Sequence, residues 1–228
     1  LREGYSLTEV TDRLCRALGV RTTILPMSNE PVRTKVLTEQ GELDFQDYFV
    51  AKRAGVPIVG VRFDGIEDAR PSQEVLTTLA TARLVVFCPS NPFVSLGPIL
   101  ELPGIKEAIR SAPGPKVAVS PIVGGQALKG PAAKMMRELG EEPSATGIAR
   151  RYVGLVDGFV LDERDRNEMA AVMDMGLSVL VTDTIMDSSK KKVQLASEVM
   201  DFSKTLRGGS MGSEPWSDHP SDKRSLSR

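Results

Sequence analysis

Two stretches of this 228-residue chain combine small, polar and cationic residues in a way that could bind a charged ligand. The first, Pro89-Ser90-Asn91-Pro92-Phe93-Val94-Ser95, follows the apolar run Arg83 to Cys88. The second runs from Ser120 through Gly124, Gly125 and Lys129 to Pro131, and follows Lys116 to Val119. In the first, Ser90 and Ser95 offer hydroxyls and Asn91 an amide. Its two prolines stiffen the turn, so these groups need less ordering on binding. In the second, Gly124 and Gly125 let the backbone approach a ligand, and Lys129 places a cation at the opening of the next helical stretch. Ligands of open α/β sheets bind where strands run out at their carboxyl ends. Two such turns point to a phosphorylated ligand. Each also has a plainer reading. Gly124-Gly125 could merely satisfy a strand-to-helix connection, and Ser90 or Asn91 could simply cap a helix.

Other candidates are weaker. Arg33, followed by Thr34, could clamp a phosphate or carboxylate bidentately. The composition favours surface pairing of Arg33 with Glu30, Glu42 or Asp44 instead. Glu42, Asp44 and Asp47 fall on or near one helical stretch, Asp162, Glu163 and Asp165 follow a strand end, and Asp183 follows another. Mg²⁺ needs only one or two carboxylates plus ligand phosphates, but helix caps and solvated faces explain these acids equally well. No metal ligand and no catalytic residue is assigned from them. Met135, Met136, Met169, Met173 and Met175 read as core filler.

The elements that must carry these residues alternate. Ser6-Leu7-Thr8-Glu9 is a capping box, and Leu7, Val10, Leu14 and Leu18 keep helical spacing up to Gly19. Strands are expected at Arg21 to Leu25, Val32 to Thr38, Ile58 to Phe63, Arg83 to Cys88, Lys116 to Val119, Val156 to Leu161 and Leu177 to Val181. Helices are expected at Glu42 to Arg53, Ser72 to Ala82, Gly104 to Ser111, Lys129 to Leu139, Ala145 to Tyr152, Arg164 to Met175 and Ser188 to Leu206. Strands of near-continuous Val, Leu and Ile between helices imply an α/β fold, a mostly parallel sheet covered on both faces. Residues 21–63 break the rhythm and read as a small α/β insertion. One domain over 1–206 and a disordered tail over 207–228 are expected.

The bulk numbers exclude several classes. A net charge of −1 and 5% aromatic residues argue against a nucleic-acid footprint or base-stacking platform. Cys15 and Cys88 have no metal spacing and read as buried thiols of a reducing, cytoplasmic protein. The only histidine, His219, lies in the polar tail, which leaves no zinc site or histidine triad in the core. No apolar run is long enough to cross a bilayer. Because Leu1 is not an initiator methionine and a helix follows almost at once, the chain reads as a fragment lacking its amino-terminal part.

Taken in order, several segments resemble the 2-phospho-L-lactate transferase family. They are Pro26 to Thr34, Gly41 to Val50, the two turns, Lys129 to Met136 and Val179 to Met186. The resemblance runs from about Tyr5 to Leu206. It implies a Rossmann-like fold, Mg²⁺ dependence and a homodimer. It also implies transfer of a phospholactyl or phosphoenolpyruvyl group from a guanosine diphospho donor to the deazaflavin Fo, releasing GMP, in coenzyme F(420) biosynthesis. On that footing Ser90, Asn91, Ser95, Ser120, Gly124, Gly125 and Lys129 are expected to contact the phosphates or nucleotide, with Arg33 and Thr34 secondary. Family members commonly carry Gly or Ser where this chain has Cys88. The family's amino-terminal Gly-rich loop, its first strand and a downstream acidic stretch have no counterpart here, so activity of this chain alone is not expected. Two rivals stand beside this reading. One is a non-catalytic UDP-sugar-binding regulator of the gluconeogenesis-factor type, and the other an inactive truncated fragment.

Overall fold

The computed structural model describes residues 4–207. Its centre is a four-stranded, wholly parallel sheet in the order β4-β5-β8-β9, with β4 Val85–Phe87, β5 Lys116–Val119, β8 Gly158–Asp162 and β9 Ser178–Thr182. Alternation along these strands sends side chains to two cores. Ala118, Phe159 and Leu161 face the larger one, with the buried Met135, Met136, Ile148 and Tyr152. Val117, Val119 and Val160 face helix α8, Ser189–Arg207, which covers them with Leu195, Val199, Phe202 and Leu206. The spacing of those four residues places them on one side of a helix. Gly158 lets α8 approach: a Cβ there would lie 2.7 Å from the Phe202 ring. The expected sheet, covered on both faces, is borne out.

The connecting helices are α2 Gln73–Ala80, α3 Leu96–Leu100, α4 Ile105–Arg110, α5 Ala132–Glu138, α6 Ala145–Tyr152 and α7 Met169–Met173. The amino-terminal helix α1, Leu7–Ala17, starts at the expected capping box, with Ser6 Oγ accepting from the Glu9 N–H at 3.2 Å and Glu9 Oε2 accepting from the Ser6 N–H at 2.8 Å. No helix among the described residues is long and apolar enough to cross a membrane. Of the tail expected over 207–228, Arg207 is the last residue of helix α8, Ser189–Arg207, and 208–228 lie outside the described residues.

Residues 21–64 depart most from expectation. Arg21 to Leu25 is not a strand. It makes no strand pairing among the described residues, and Leu25 helps line an apolar groove of about 270 Å³ beside β4, with Val86, Leu96 and Ile99. Strand β4 is paired on one side only among the described residues. The helix expected at Glu42 to Arg53 is instead strand β2, Gly41–Asp44, followed by a π-helical turn at Asp47–Ala51. Gly41, at φ +122°, permits the tight turn. Thr38 locks that turn by donating from Oγ1 to the Gly41 carbonyl at 2.8 Å. Strand pairing with β1, Arg33–Thr38, then overrides helical spacing, and β3, Gly60–Asp64, completes an antiparallel sheet in the order β2-β1-β3. The segment that leads into β3 is tied to α5 by Lys134, whose ammonium donates to the Val56 carbonyl at 3.0 Å, and by Glu138, which accepts from the Ile58 N–H at 3.2 Å.

Three smaller expectations are corrected. Helix α5 begins at Ala132, so Lys129 precedes the helix and does not open it. Gly130, at φ +75°, and Pro131, which lacks an N–H, hold the chain outside it. Cys88 is exposed because edge strand β4 ends just before it, while Cys15 is half-buried. Met173 is half exposed, because α7 is a short surface helix after a 3₁₀ turn over Glu163–Glu168.

Candidate functional site

Parallel pairing brings the ends of β4, β5, β8 and β9 to one edge of the sheet. The first turn leaves β4 and the second leaves β5, its neighbour. They are therefore side by side although about thirty residues apart in sequence.

The first turn is held open by its own amide. Asn91 Oδ1 accepts from the Phe93 N–H at 2.9 Å and the Val94 N–H at 3.3 Å, and its Nδ2 contacts Met135 Sδ on α5 at 3.3 Å. Asn91 is thereby committed to shaping the turn. Phe93 is buried, and the Arg151 guanidinium of α6 lies 4.4 Å from its ring centroid. Ser90 and Ser95 have no hydroxyl partner among the described residues, and Ser95 precedes α3 without capping it. Those two hydroxyls are the turn's uncommitted groups.

The second turn contains an unanticipated hairpin, β6 Ile122–Val123 against β7 Gln126–Ala127. Gly124 and Gly125 form its tip at φ +58° and +73°, a pair of positive values that glycine adopts without strain. Ser120 is 2% exposed, and its Oγ both donates to the Ile122 carbonyl at 2.9 Å and accepts from the Ile122 N–H at 3.1 Å. Ser120, like Asn91, shapes its turn. Lys129 is exposed in the bend between β7 and α5 and has no ion-pair partner among the described residues.

Arg33 and Thr34 are divided. Thr34 is opposed to Phe63 and shares its face. Phe63 reaches the first turn, since a Cβ on Gly97 would meet its ring at 2.9 Å and the Pro92 carbonyl at 3.1 Å. Arg33 lies on the outer face with Lys35 and Arg62, where Lys35 pairs with Asp44 at 2.8 Å and Arg62 with Glu42 at 2.8 Å.

The acids after β8 emerge as the least expected part of the site. Asp162 is 2% exposed and ties β8 to the chain after β9: its Oδ2 accepts from the Thr184 N–H and Oγ1–H at 3.0 Å each, and its Oδ1 from the Arg164 N–H at 3.1 Å. Asp165 is 3% exposed and receives the Gly124 N–H on both oxygens, at 2.9 and 3.1 Å. Burial pushes the Asp165 carboxyl above the ordinary carboxylate range, with Glu168 and Asp162 adding to the rise and the Gly124 N–H opposing it. Asp183 is held low, first by the Ile185 N–H and then by Lys191. Sequence placed these acids at strand ends, but nothing local reveals that Asp165 meets a glycine 41 positions away.

Two measurements test this geometry. Cys88 stands one residue before the first turn, so a thiol reagent is expected to label it well before Cys15, and iodoacetate labelling to weaken anion binding by adding a carboxylate there. Labelling Cys88 with no change in affinity would separate it from the site. The raised folded value of Asp165 means that the folded state holds its proton more tightly than the unfolded chain. Stability is therefore lost as pH rises from the ordinary carboxylate value through the folded one. Asp165→Asn, which keeps an acceptor for Gly124, is expected to melt higher than the parent at neutral pH and to lose that advantage in acid. An advantage that does not shrink in acid would contradict the assignment.

Fold and site together define an α/β domain of the Rossmann-like class whose carboxyl edge carries two small-residue turns. The chain belongs to the family whose model, described as 2-phospho-L-lactate transferase CofD, matches residues 1–200. It is similar to the 2-phospho-L-lactate transferase of Methanosarcina mazei, at 39% identity over 88% of this chain and 65% of that protein. It is also similar to the phosphoenolpyruvate transferase of Kitasatospora aureofaciens, at 36% identity over 92% of this chain and 67% of that protein. The chain thus spans 65% of the length of the Methanosarcina mazei relative. Among solved structures, protein BH3568 of Bacillus halodurans matches with a TM-score of 0.60 and 18% identity, covering 86% of this chain and 67% of that one. That likeness is one of fold.

Proposed function

We propose that the protein transfers a phospholactyl or phosphoenolpyruvyl group from a guanosine diphospho donor to the deazaflavin Fo, releasing GMP, in coenzyme F(420) biosynthesis. This chain's part is to seat the donor's phosphates on the two turns. The observation that carries the reading is their juxtaposition on adjacent parallel strands of a CofD-family chain, with Ser90, Ser95 and Lys129 left uncommitted. Asn91, Ser120, Gly124 and Gly125 hold the turns in shape, and Thr34 lies on the face that packs toward the first turn. Arg33, on the outer face, is the weakest member of the set.

In the proposed step a ribityl hydroxyl of Fo attacks the phosphorus bearing the lactyl or enolpyruvyl oxygen. A new P–O bond forms, the bond to the bridging oxygen of GMP breaks, and the hydroxyl proton is released. Such transfers depend on positioning and on neutralising charge. Lys129 and the serine hydroxyls would orient the diphosphate. Mg²⁺ needs only one or two carboxylates beside the diphosphate oxygens, and would supply neutralisation of charge on the diphosphate. Mg²⁺ and a homodimer in the cytoplasm belong to the proposal.

The test is calorimetric titration of the chain with GDP and Mg²⁺, and separately with UDP-N-acetylglucosamine. Selective binding of the guanine nucleotide is expected. Preference for the UDP-sugar would replace this reading with that of a regulator.

A further inference from the structure

We infer that Asp165 is the positioning residue of the second turn: from beneath the β6–β7 hairpin its carboxylate fixes the Gly124-Gly125 tip in the shape that receives the ligand. The inference rests on the donor-binding reading above and adds a residue to it. A hairpin of two residues per strand is marginal without outside support. Its tip is two adjacent glycines, the residues that lose most backbone freedom on ordering. Something must hold it. Ser120 fixes the base of the hairpin through Ile122, but at the tip the supports are the Arg137 guanidinium, 3.4 Å from the Gly125 carbonyl, and the Asp165 carboxylate, at 2.9 and 3.1 Å from the Gly124 nitrogen. The Asp165 contact is the shorter and is charge-assisted.

The side from which support comes matters. Asp165 is 3% exposed while Gly124 is exposed, so the carboxylate grips the tip from inside the protein and leaves its outer surface clear. Asp165 is itself rooted in the 3₁₀ turn directly after β8, where Asp162 accepts from the Arg164 N–H and Glu168 accepts from the Thr146 N–H at 2.7 Å. The tip of the loop after β5 is thus referenced to the end of β8. Ordering the tip before binding removes a cost that the ligand would otherwise meet.

The experiment combines amide exchange by NMR with calorimetry, on the whole chain and on Asp165→Ala and Asp165→Asn. Asp165→Ala is expected to speed Gly124 exchange by about tenfold or more and to weaken binding of GDP with Mg²⁺ by about tenfold. Asp165→Asn, whose amide oxygen can accept the same N–H, is expected to restore both to near the parent value. Fast exchange in Asp165→Ala with parent-like GDP affinity would overturn the inference, because the anchor would then be structural only. Unchanged exchange would overturn it by showing that no anchor exists. Should Asp165→Ala fail to fold, Asp165→Leu, close to aspartate in shape but unable to accept the Gly124 N–H, takes its place: the same rise in exchange and loss of affinity are expected, and parent-like values in either would overturn the inference. Failure of the unsubstituted chain to bind GDP would sink the donor-binding reading, and this inference with it, an outcome distinct from the other two.

Discussion

Lys129→Ala is expected to weaken binding of the guanosine diphospho donor by about tenfold or more while leaving the melting temperature unchanged. A hydrogen bond to a charged group contributes about 1.5–3 kcal/mol, and about 1.4 kcal/mol is a tenfold change in affinity. Lys129 is suited to supply such a bond. It is exposed, it has no ion-pair partner among the described residues, and Gly130 and Pro131 fix the bend that presents it. For the same reasons its removal leaves no buried group unsatisfied, so stability should not change. Lys129→Arg would keep the charge but not the compact ammonium, and should fall between the two. Parent-like affinity in Lys129→Ala, measured by calorimetry, would remove the residue from the site.

Gly147→Ala should produce the largest loss of stability among the substitutions considered. Inside a helix such as α6 the exchange ordinarily stabilises by about 1 kcal/mol. Here the added Cβ would lie 2.1 Å from the Glu142 carbonyl oxygen and 3.1 Å from the Met136 methyl. The first of these is backbone, which cannot swing aside, and the site is fully enclosed in the larger core. Overpacking costs about 1–3 kcal/mol, and a clash with backbone falls at the upper end, about 3 kcal/mol, which outweighs the helical gain. For a domain of this size that corresponds to a fall in Tm of about 6–12 °C. The displacement would be felt at the first turn too, because α6 carries Arg151, which lies over Phe93. A thermal melt within a degree or two of the parent would show that the Glu142 segment can move.

The central sheet was legible in the sequence because its strands are continuous apolar runs, bounded by Gly, Pro and Ser, and its helices are amphipathic. Lys116 to Val119 and Ala145 to Tyr152 coincide with β5 and α6 to the residue. Residues 21–64 were not legible in the same way. Gly41 to Asp44 has helical composition, and only its pairing with β1 decides against a helix. Arg21 to Leu25 has strand composition but makes no strand pairing among the described residues. Tertiary contacts decided both cases, against local propensity.

The candidate site shows the same division. Ser90, Asn91, Ser120, Gly124 and Gly125 could be picked out as turn formers, yet whether each polar group faces inward or outward depends on its partners. Asn91 and Ser120 turn out to be engaged with their own loops. Asp165 was visible only as one acid among three after a strand. Its contact with Gly124 exists because β5 and β8 are neighbours, and neighbour order in a parallel sheet is not written in either strand.

The most direct test of the central claim is a titration of the isotopically labelled chain with GDP and Mg²⁺, followed amide by amide. Shifts confined to Ser90, Ser95, Gly124, Gly125 and Lys129, absent from the outer face bearing Arg33 and Lys35, are predicted, and UDP-N-acetylglucosamine should not reproduce them. Shifts that fall on that outer face or along α8 while the two turns stay silent would contradict a donor site built from the two turns.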